Sequence, residues 1–172
     1  MKKFELTDEF ITNASGNKLF RIKALVAFGD VEKGELGGFI EKEGNLSHDG
    51  NAWVYGNARV SGDAQVYGDA QVYGGAQVYG NALVSCNAQV YGNADYAVVT
   101  GFGRYFRATT FFRCKDKILR VQCGCFYGDL AQFREIVKKT HGDSKYAKEY
   151  LAIADLMELH FSDEKKRQED TE

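Results

Sequence analysis

Residues 45–95 run NLSHDG NAWVYG NARVSG DAQVYG DAQVYG GAQVYG NALVSC NAQVYG NAD, a repeat with a period of six. Alanine recurs at 52, 58, 64, 70, 76, 82, 88 and 94, and valine at 54, 60, 66, 72, 78, 84 and 90. The two series stay two residues apart, so an extended chain turns both to one side. The residue between them is Trp53, Arg59, Gln65, Gln71, Gln77, Leu83 or Gln89, and it faces the other way. Gly followed by Asn, Asp or Gly closes most units, and these residues tolerate the positive φ of a tight corner. A helix cannot use this pattern, because six matches no helical period and a glycine in every unit would cost about 1 kcal/mol each against alanine. Short strands joined by corners fit it. The chain is expected to wind as a solenoid, each coil pairing with the next through backbone hydrogen bonds.

Composition narrows the function classes. The 172 residues carry 22 Lys+Arg against 24 Asp+Glu, a net charge of −2. That balance excludes a globally basic DNA-coating protein and an acidic solvating tail. Apolar residues are 44% and charged residues 27%, ordinary for a folded chain, whereas 19 Gly with no Pro is not. No apolar run approaches the ~20 residues of a membrane span. The start, MKKFELTDEF, has acids where a signal peptide needs its apolar stretch, so a cytoplasmic protein without membrane contact is expected.

Taken from its valine, each unit has the form V-Y-G-N-A-Q, which resembles the hexapeptide signature of left-handed parallel β-helices, apart from Tyr in the second position. The resemblance implies three hexads per triangular coil and therefore a vertical spacing of 18 residues. Tyr55, Tyr73 and Tyr91 then stand above one another, with Trp53, Gln71 and Gln89 as the neighbouring outward column. Asn51, Asp69 and Asn87 stack at one corner. So short a prism has open ends, and the flanking segments are the obvious caps.

Residues 1–44 have the pattern of a β module. Phe20, Ile22 and Ala24 alternate with Arg21 and Lys23 as in a half-buried strand, Asn13 to Asn17 forms a turn, and Gly34 and Gly37-Gly38 are further turn signals. Beyond the repeat, Arg107 to Cys114 and Ile118 to Phe126 are two expected strands. A helix follows from Leu130 to about Thr140, opened by Asp129, and a second runs from Ser144 to about Phe161. The fold class expected is thus mainly β: a short single-stranded left-handed parallel β-helix (45–98) with an N-terminal β cap (1–44). A C-terminal α+β module (99–161), a β-hairpin plus two helices, and a disordered charged tail (162–172) complete it. The stretch LFRIKALVAFGDVEKGELGGFIEKEGNLS, the NAxVYG units and TTFFRCKDKILRVQCGCFYGDLAQF together resemble a group of hexapeptide-repeat proteins of phages and prophages. That resemblance implies a mobile element in a bacterial host and brings no catalytic residues with it.

Four features are candidate sites. Acyl transfer, the familiar activity of hexapeptide-repeat enzymes, needs a histidine base that reaches a substrate hydroxyl. His48, His141 and His160 are available, and His48 is the base if the chain is an acyltransferase using acyl-CoA. Cys86, Cys114, Cys123 and Cys125 are read as buried, reduced thiols. Cys114 and Cys123 fall too far apart along a hairpin for the ~7 Å that a disulfide allows, and Cys123-x-Cys125 lacks zinc spacing. No metal or cofactor is expected. From Tyr96 to Tyr127 six basic residues face one acid, Asp116, a local charge of +5 with aromatics interleaved. Arg104, Tyr105, Arg107, Arg113 and Arg120 are the ligand-binding candidates, because guanidinium forks hold phosphates and rings stack on bases. Finally, Trp53, Tyr55, Tyr73 and Tyr91 are an interface candidate, with packing of prism on prism in a homodimer or homotrimer as its simplest use. The functional expectation is a non-catalytic accessory binding protein acting in counter-defence, by sequestering a host nucleotide signal or blocking a host immune protein. Its alternatives are an acyltransferase and a structural scaffold or virion component.

Overall fold

The computed structural model describes residues 1–162, so the expected disordered tail lies, Ser162 apart, outside the described residues. Strands β1 (Phe4–Thr12), β2 (Lys18–Ala24) and β3 (Leu36–Ile40) form an antiparallel N-terminal module. The repeat supplies two-residue strands: β4 (Trp53–Val54), β5 (Arg59–Val60), β6 (Gln65–Val66), β7 (Gln71–Val72), β8 (Gln77–Val78), β9 (Leu83–Val84) and β10 (Gln89–Val90). Strands β11 (Tyr96–Val99), β12 (Thr109–Arg113), β13 (Leu119–Cys123) and β14 (Phe126–Asp129) follow, then helices α1 (Leu130–His141) and α2 (Lys145–His160). The chain is mainly β with two helices, and its repeat is a β-solenoid.

Every third repeat strand pairs in parallel register. Trp53 lies opposite Gln71 and Gln71 opposite Gln89; Arg59 faces Gln77, and Gln65 faces Leu83. The alanine and valine series from Ala52 to Val90 is buried without exception, as alternation requires. Each such valine contributes roughly 1.5–3 kcal/mol of burial before entropy is subtracted.

Both ends of the coil stack are sealed. At the first coil, β3 continues the β5–β8 ladder in parallel, Phe39 opposite Arg59 and Ile40 opposite Val60. Buried Asn45 donates through Nδ2 to Gly62 O (3.0 Å) and Ala64 O (2.8 Å), and Lys3 Nζ donates to Gly50 O (3.2 Å) and Ala52 O (2.9 Å). Gly37 and Gly38, expected in a turn, lie inside β3. A Cβ on Gly37 would stand 2.6 Å from Val54 O, and one on Gly38 2.5 Å from Ala58 O, so the glycines permit close approach to the first coil. At the last coil the Leu83 N–H donates to Thr110 Oγ1 (2.9 Å), the Gln77 N–H to Asn93 Oδ1 (2.7 Å) and the Tyr91 N–H to Asp95 Oδ2 (2.8 Å).

The C-terminal module is a four-stranded antiparallel sheet in the order β11-β12-β13-β14, where the sequence pointed to a two-stranded hairpin. Its alternation separates two cores. Tyr96, Phe112 and Cys114 pack with the solenoid, whereas Phe111 and Val121 pack with Phe133, Val137, Tyr150 and Ala154 of the helices. Asp129 caps α1 by accepting the Gln132 N–H, and Ser144 caps α2 by accepting the Ala147 N–H. Among the described residues no helix is long and apolar enough to cross a membrane.

Candidate functional site

The loop between β11 and β12 crosses one side of the C-terminal module and encloses a cleft of about 220 Å³ against α1 and the β13–β14 turn. Phe126, Phe133, Ile136, Val137 and Tyr150 supply an apolar, ring-rich lining. Arg104, Tyr105 and Arg107 from the loop, Cys123 and Cys125 from the turn, and Thr140 and His141 from the end of α1 complete it.

Local structure explains how the loop is held. The Gly103 N–H donates to Glu149 Oε2 (2.9 Å) on α2, and a Cβ at Gly103 would collide with the Tyr150 hydroxyl. Gly103 has φ +72°, a conformation that admits glycine most readily. On the far side, the two-residue turn Gly124-Cys125 joins β13 to β14, Cys123 pairing with Phe126. Positive φ at the first central position is the type II′ preference. The Arg107 guanidinium lies across this turn, and it also sits over the Tyr105 ring at 4.9 Å from the centroid. Arg104 approaches the same ring at 5.7 Å. Burial, followed by the neighbouring Cys123, pushes the Tyr150 phenol up to about 12, so it stays a neutral donor on the cleft lining at neutral pH.

Of the five ligand-binding candidates, the cleft gathers three: Arg104, Tyr105 and Arg107. Alternation turns Arg120, opposite Phe112, to the solenoid face, and Arg113, though on the helix face, ends β12 at the opposite end of the strand from Thr109, the partner of the cleft residue Cys123. Arg113 lies on the helix side, where its Nη2 donates to Phe161 O (2.8 Å), its guanidinium covers the Phe161 ring at 5.1 Å, and its Nε stands 3.9 Å from Asp95. Arg120 pairs with Asp116 at 2.7 Å. These two arginines build the module and do not line the cleft.

His48 stacks on Phe4 with ring centroids 4.3 Å apart. Its Nδ1 accepts the Lys3 N–H (3.1 Å) and its Nε2 meets Glu43 Oε1 (2.7 Å), a pattern that assigns the proton to Nε2. With both nitrogens engaged, His48 presents no free lone pair to a substrate hydroxyl, and it is a capping residue of the N-terminal module. The hydrogen bond from His48 holds the Glu43 carboxyl below its ordinary range.

The tyrosine column stands as the spacing implied. Tyr55 and Tyr73 stack at 4.5 Å and 8°, Tyr73 and Tyr91 at 4.8 Å and 10°. Trp53 stands in the expected column, opposite Gln71, but it is 0% exposed, closed over by Phe4 and Phe28 of the N-terminal segment. It belongs to the joint between that segment and the first coil and is unavailable to another molecule. The cysteines are unpaired, as expected, but only Cys114 is buried. Cys125 is exposed at the cleft.

Sequence reasoning missed Cys123, Cys125, Phe126, Phe133, Thr140, His141 and Tyr150 as cleft residues, because a helical apolar stripe has the same pattern whether it lines a core or a cleft. A signal was nevertheless present. Lys138, Lys139, Lys145 and Lys148 surround His141 with only Asp143 as a counter-charge, giving a second local excess of basic residues. Among the described residues no cluster of three or more His, Cys, Asp or Glu side chains has the arrangement to hold a metal ion.

The repeat is similar to the YdcK beta solenoid repeat, whose family model matches residues 52–68 and 70–87. That match covers part of the solenoid and none of the cleft. Nothing among curated proteins matches the chain.

Proposed function

We propose that the protein is a non-catalytic binding protein that captures a planar, anionic small molecule of the nucleotide class in the cleft beneath residues 101–107. One observation carries the reading: an apolar cleft of about 220 Å³, floored by rings, has the guanidinium groups of Arg104 and Arg107 beside it. A ring is favoured by the floor and a phosphate by the guanidinium forks, and few other ligands use both. The solenoid, which we take to be left-handed and three-sided, carries this cleft at one end. In a phage or prophage setting such capture would withdraw a host nucleotide signal, the counter-defence role suggested by the sequence. The acyltransferase reading gains nothing from the geometry of His48. The test is native mass spectrometry of gently purified protein, followed by calorimetric titration with nucleoside monophosphates. A bound nucleotide-sized mass, with affinity lost in Arg107→Ala, supports the reading; a protein that takes up no nucleotide overturns it.

A further inference from the structure

The cleft holds one ring, yet the loop beside it offers more. Phe102 is 42% exposed and Phe106 69% exposed, and neither lines the cleft. Phe106 has φ +54°, the left-handed region that bulky residues avoid, so backbone strain is spent on holding an apolar ring in water. Tyr105, at the cleft, is 63% exposed and flanked by Arg104 and Arg107. From His141, which also lines the cleft, the chain passes through Gly142–Ser144 into α2, with Lys138 and Lys139 in the last turn of α1 and Lys145 and Lys148 at the start of α2. These four lysines are exposed, and Lys145 Nζ stands 3.7 Å from Glu149 Oε1. Tyr146 adds a partly exposed ring, 6.3 Å from His141. The loop therefore carries two bare rings and two arginines, and the helix ends on either side of His141 carry a ring and four lysines, in a chain whose total charge is −2.

A free mononucleotide fills the cleft and leaves both groups unused. A protein partner with an acidic surface would satisfy the cations but gives no reason for a ring-sized cleft beside them. Alternating rings and cations along a track are what a single strand requires, because every base has a face to stack and every linkage has a charge to neutralise. We infer that the ligand is a segment of single-stranded nucleic acid. One base enters the cleft, neighbouring bases stack on Phe106 and Phe102, and the backbone runs past Arg104 and Arg107 towards Lys138, Lys145 and Lys148. This inference rests on the reading of the cleft as a site for a planar anion and names the chain to which that anion belongs.

Fluorescence anisotropy with labelled single-stranded RNA and DNA of about eight nucleotides, within the site sizes of single-strand binders, tests it alongside nucleoside monophosphates. Oligonucleotide binding is expected to weaken about 10-fold or more in Phe106→Ala, the loss of one stacked base, while mononucleotide binding is unchanged. With about four phosphates neutralised, oligonucleotide affinity is expected to fall roughly 50-fold between 50 and 200 mM salt. Phe106 is exposed, so its removal leaves the core intact, and circular dichroism of the variant checks this. If monophosphates bind as tightly as oligonucleotides and Phe106→Ala alters neither, the single-strand inference fails and the cleft reading stands. If neither binds, both fail. If polyglutamate displaces the oligonucleotide at equal charge concentration, the track recognises acidity alone and the inference is overturned.

Discussion

Arg107 lies so close over Gly124 that a Cβ on the glycine would stand 2.5 Å from its Nη1. The turn and the cation beside the cleft are therefore one unit. Gly124→Ala is expected to lose ligand affinity by about 10- to 100-fold, because displacing the guanidinium removes a charge-assisted contact of about 1.5–3 kcal/mol. It also places alanine at φ +59°, at a stability cost of roughly 1–2 kcal/mol. Arg107→Ala should match the affinity loss without the stability loss. Calorimetric titration with a nucleoside monophosphate and urea unfolding of both variants separate the two effects.

The tyrosine column makes a different kind of claim. Its ring faces are turned on one another, so the column works chiefly within the chain. Tyr73 has a partner on each face, and Tyr73→Ala should cost about 1–3 kcal/mol from two stacks in addition to lost area. Tyr73→Phe retains both stacks, loses the hydroxyl's bonds to Gln71 and Tyr55, and should cost less than half as much. Chemical denaturation of the two variants checks the ratio. If Tyr73→Ala dissociates an oligomer at unchanged stability, the column is an interface instead.

Asn45 holds the first coil closed. It is fully buried, donates to two carbonyls, and accepts the Lys42 N–H through Oδ1 (2.9 Å). Asn45→Ala strands Gly62 O and Ala64 O, and at about 1–3 kcal/mol for each buried unsatisfied group a loss of about 2–6 kcal/mol is expected. The urea midpoint should fall with little change in the slope of the unfolding free energy.

Much of this arrangement was legible in the sequence because it is periodic. The 18-residue stacking of Tyr55, Tyr73 and Tyr91 needed only equal spacing, and the corner bond from Asn51 Nδ2 to Asp69 Oδ1 (2.9 Å) follows from the same count. The burial of Trp53 did not follow. Its outward direction is set by alternation, but its burial is set by Phe4 and Phe28, which lie outside the period. The basic candidates divided for a similar reason. A count of charges along residues 96–127 carries no information about face or height in the sheet, whereas the register does: Arg120 opposite Phe112 takes the solenoid face, and Arg113 opposite Leu119 stands at the far end of β12 from Thr109 and Cys123. The cleft itself depends on how a loop, a turn and a helix end meet, and no local pattern encodes that meeting.

Lys3 gives the chain an alkaline signature. Burial pushes its ammonium down to about 8, against the partial support of Asp49 and Asp69. Below pH 8 both folded and unfolded chains hold the proton, and the burial penalty is present in full. Between pH 8 and about 10.5 the unfolded chain keeps a proton that the folded chain has released, so this group makes stability rise with pH. Cys114, pushed up to about 11 by burial, and Tyr55, pushed up to about 12, act in the opposite sense above about pH 9 and 10 respectively. Stability should therefore increase by about 1 kcal/mol from pH 8 to 9 and change little to about pH 10. Above that it should fall, as Tyr55, Tyr96 and Tyr150, all pushed up to about 12 by burial, hold protons that the unfolded chain releases. Lys3→Met should abolish that rise, as followed by urea midpoints across the range.

The two seals have a consequence for the length of the molecule. Asn45 and Lys3 close one end, Thr110, Asn93 and Asp95 close the other, and the rungs between them repeat the same few contacts. A second copy of residues 69–86, placed after the first, would meet the rung below it as the original does and offer the same edge to the seal above. Such a chain should fold with its cleft unaltered and stand taller by one strand spacing, about 4.8 Å. The repeat is thus a ruler graduated in rungs, which sets how far the cleft stands from the β1–β2 hairpin and leaves either end free to keep its own chemistry.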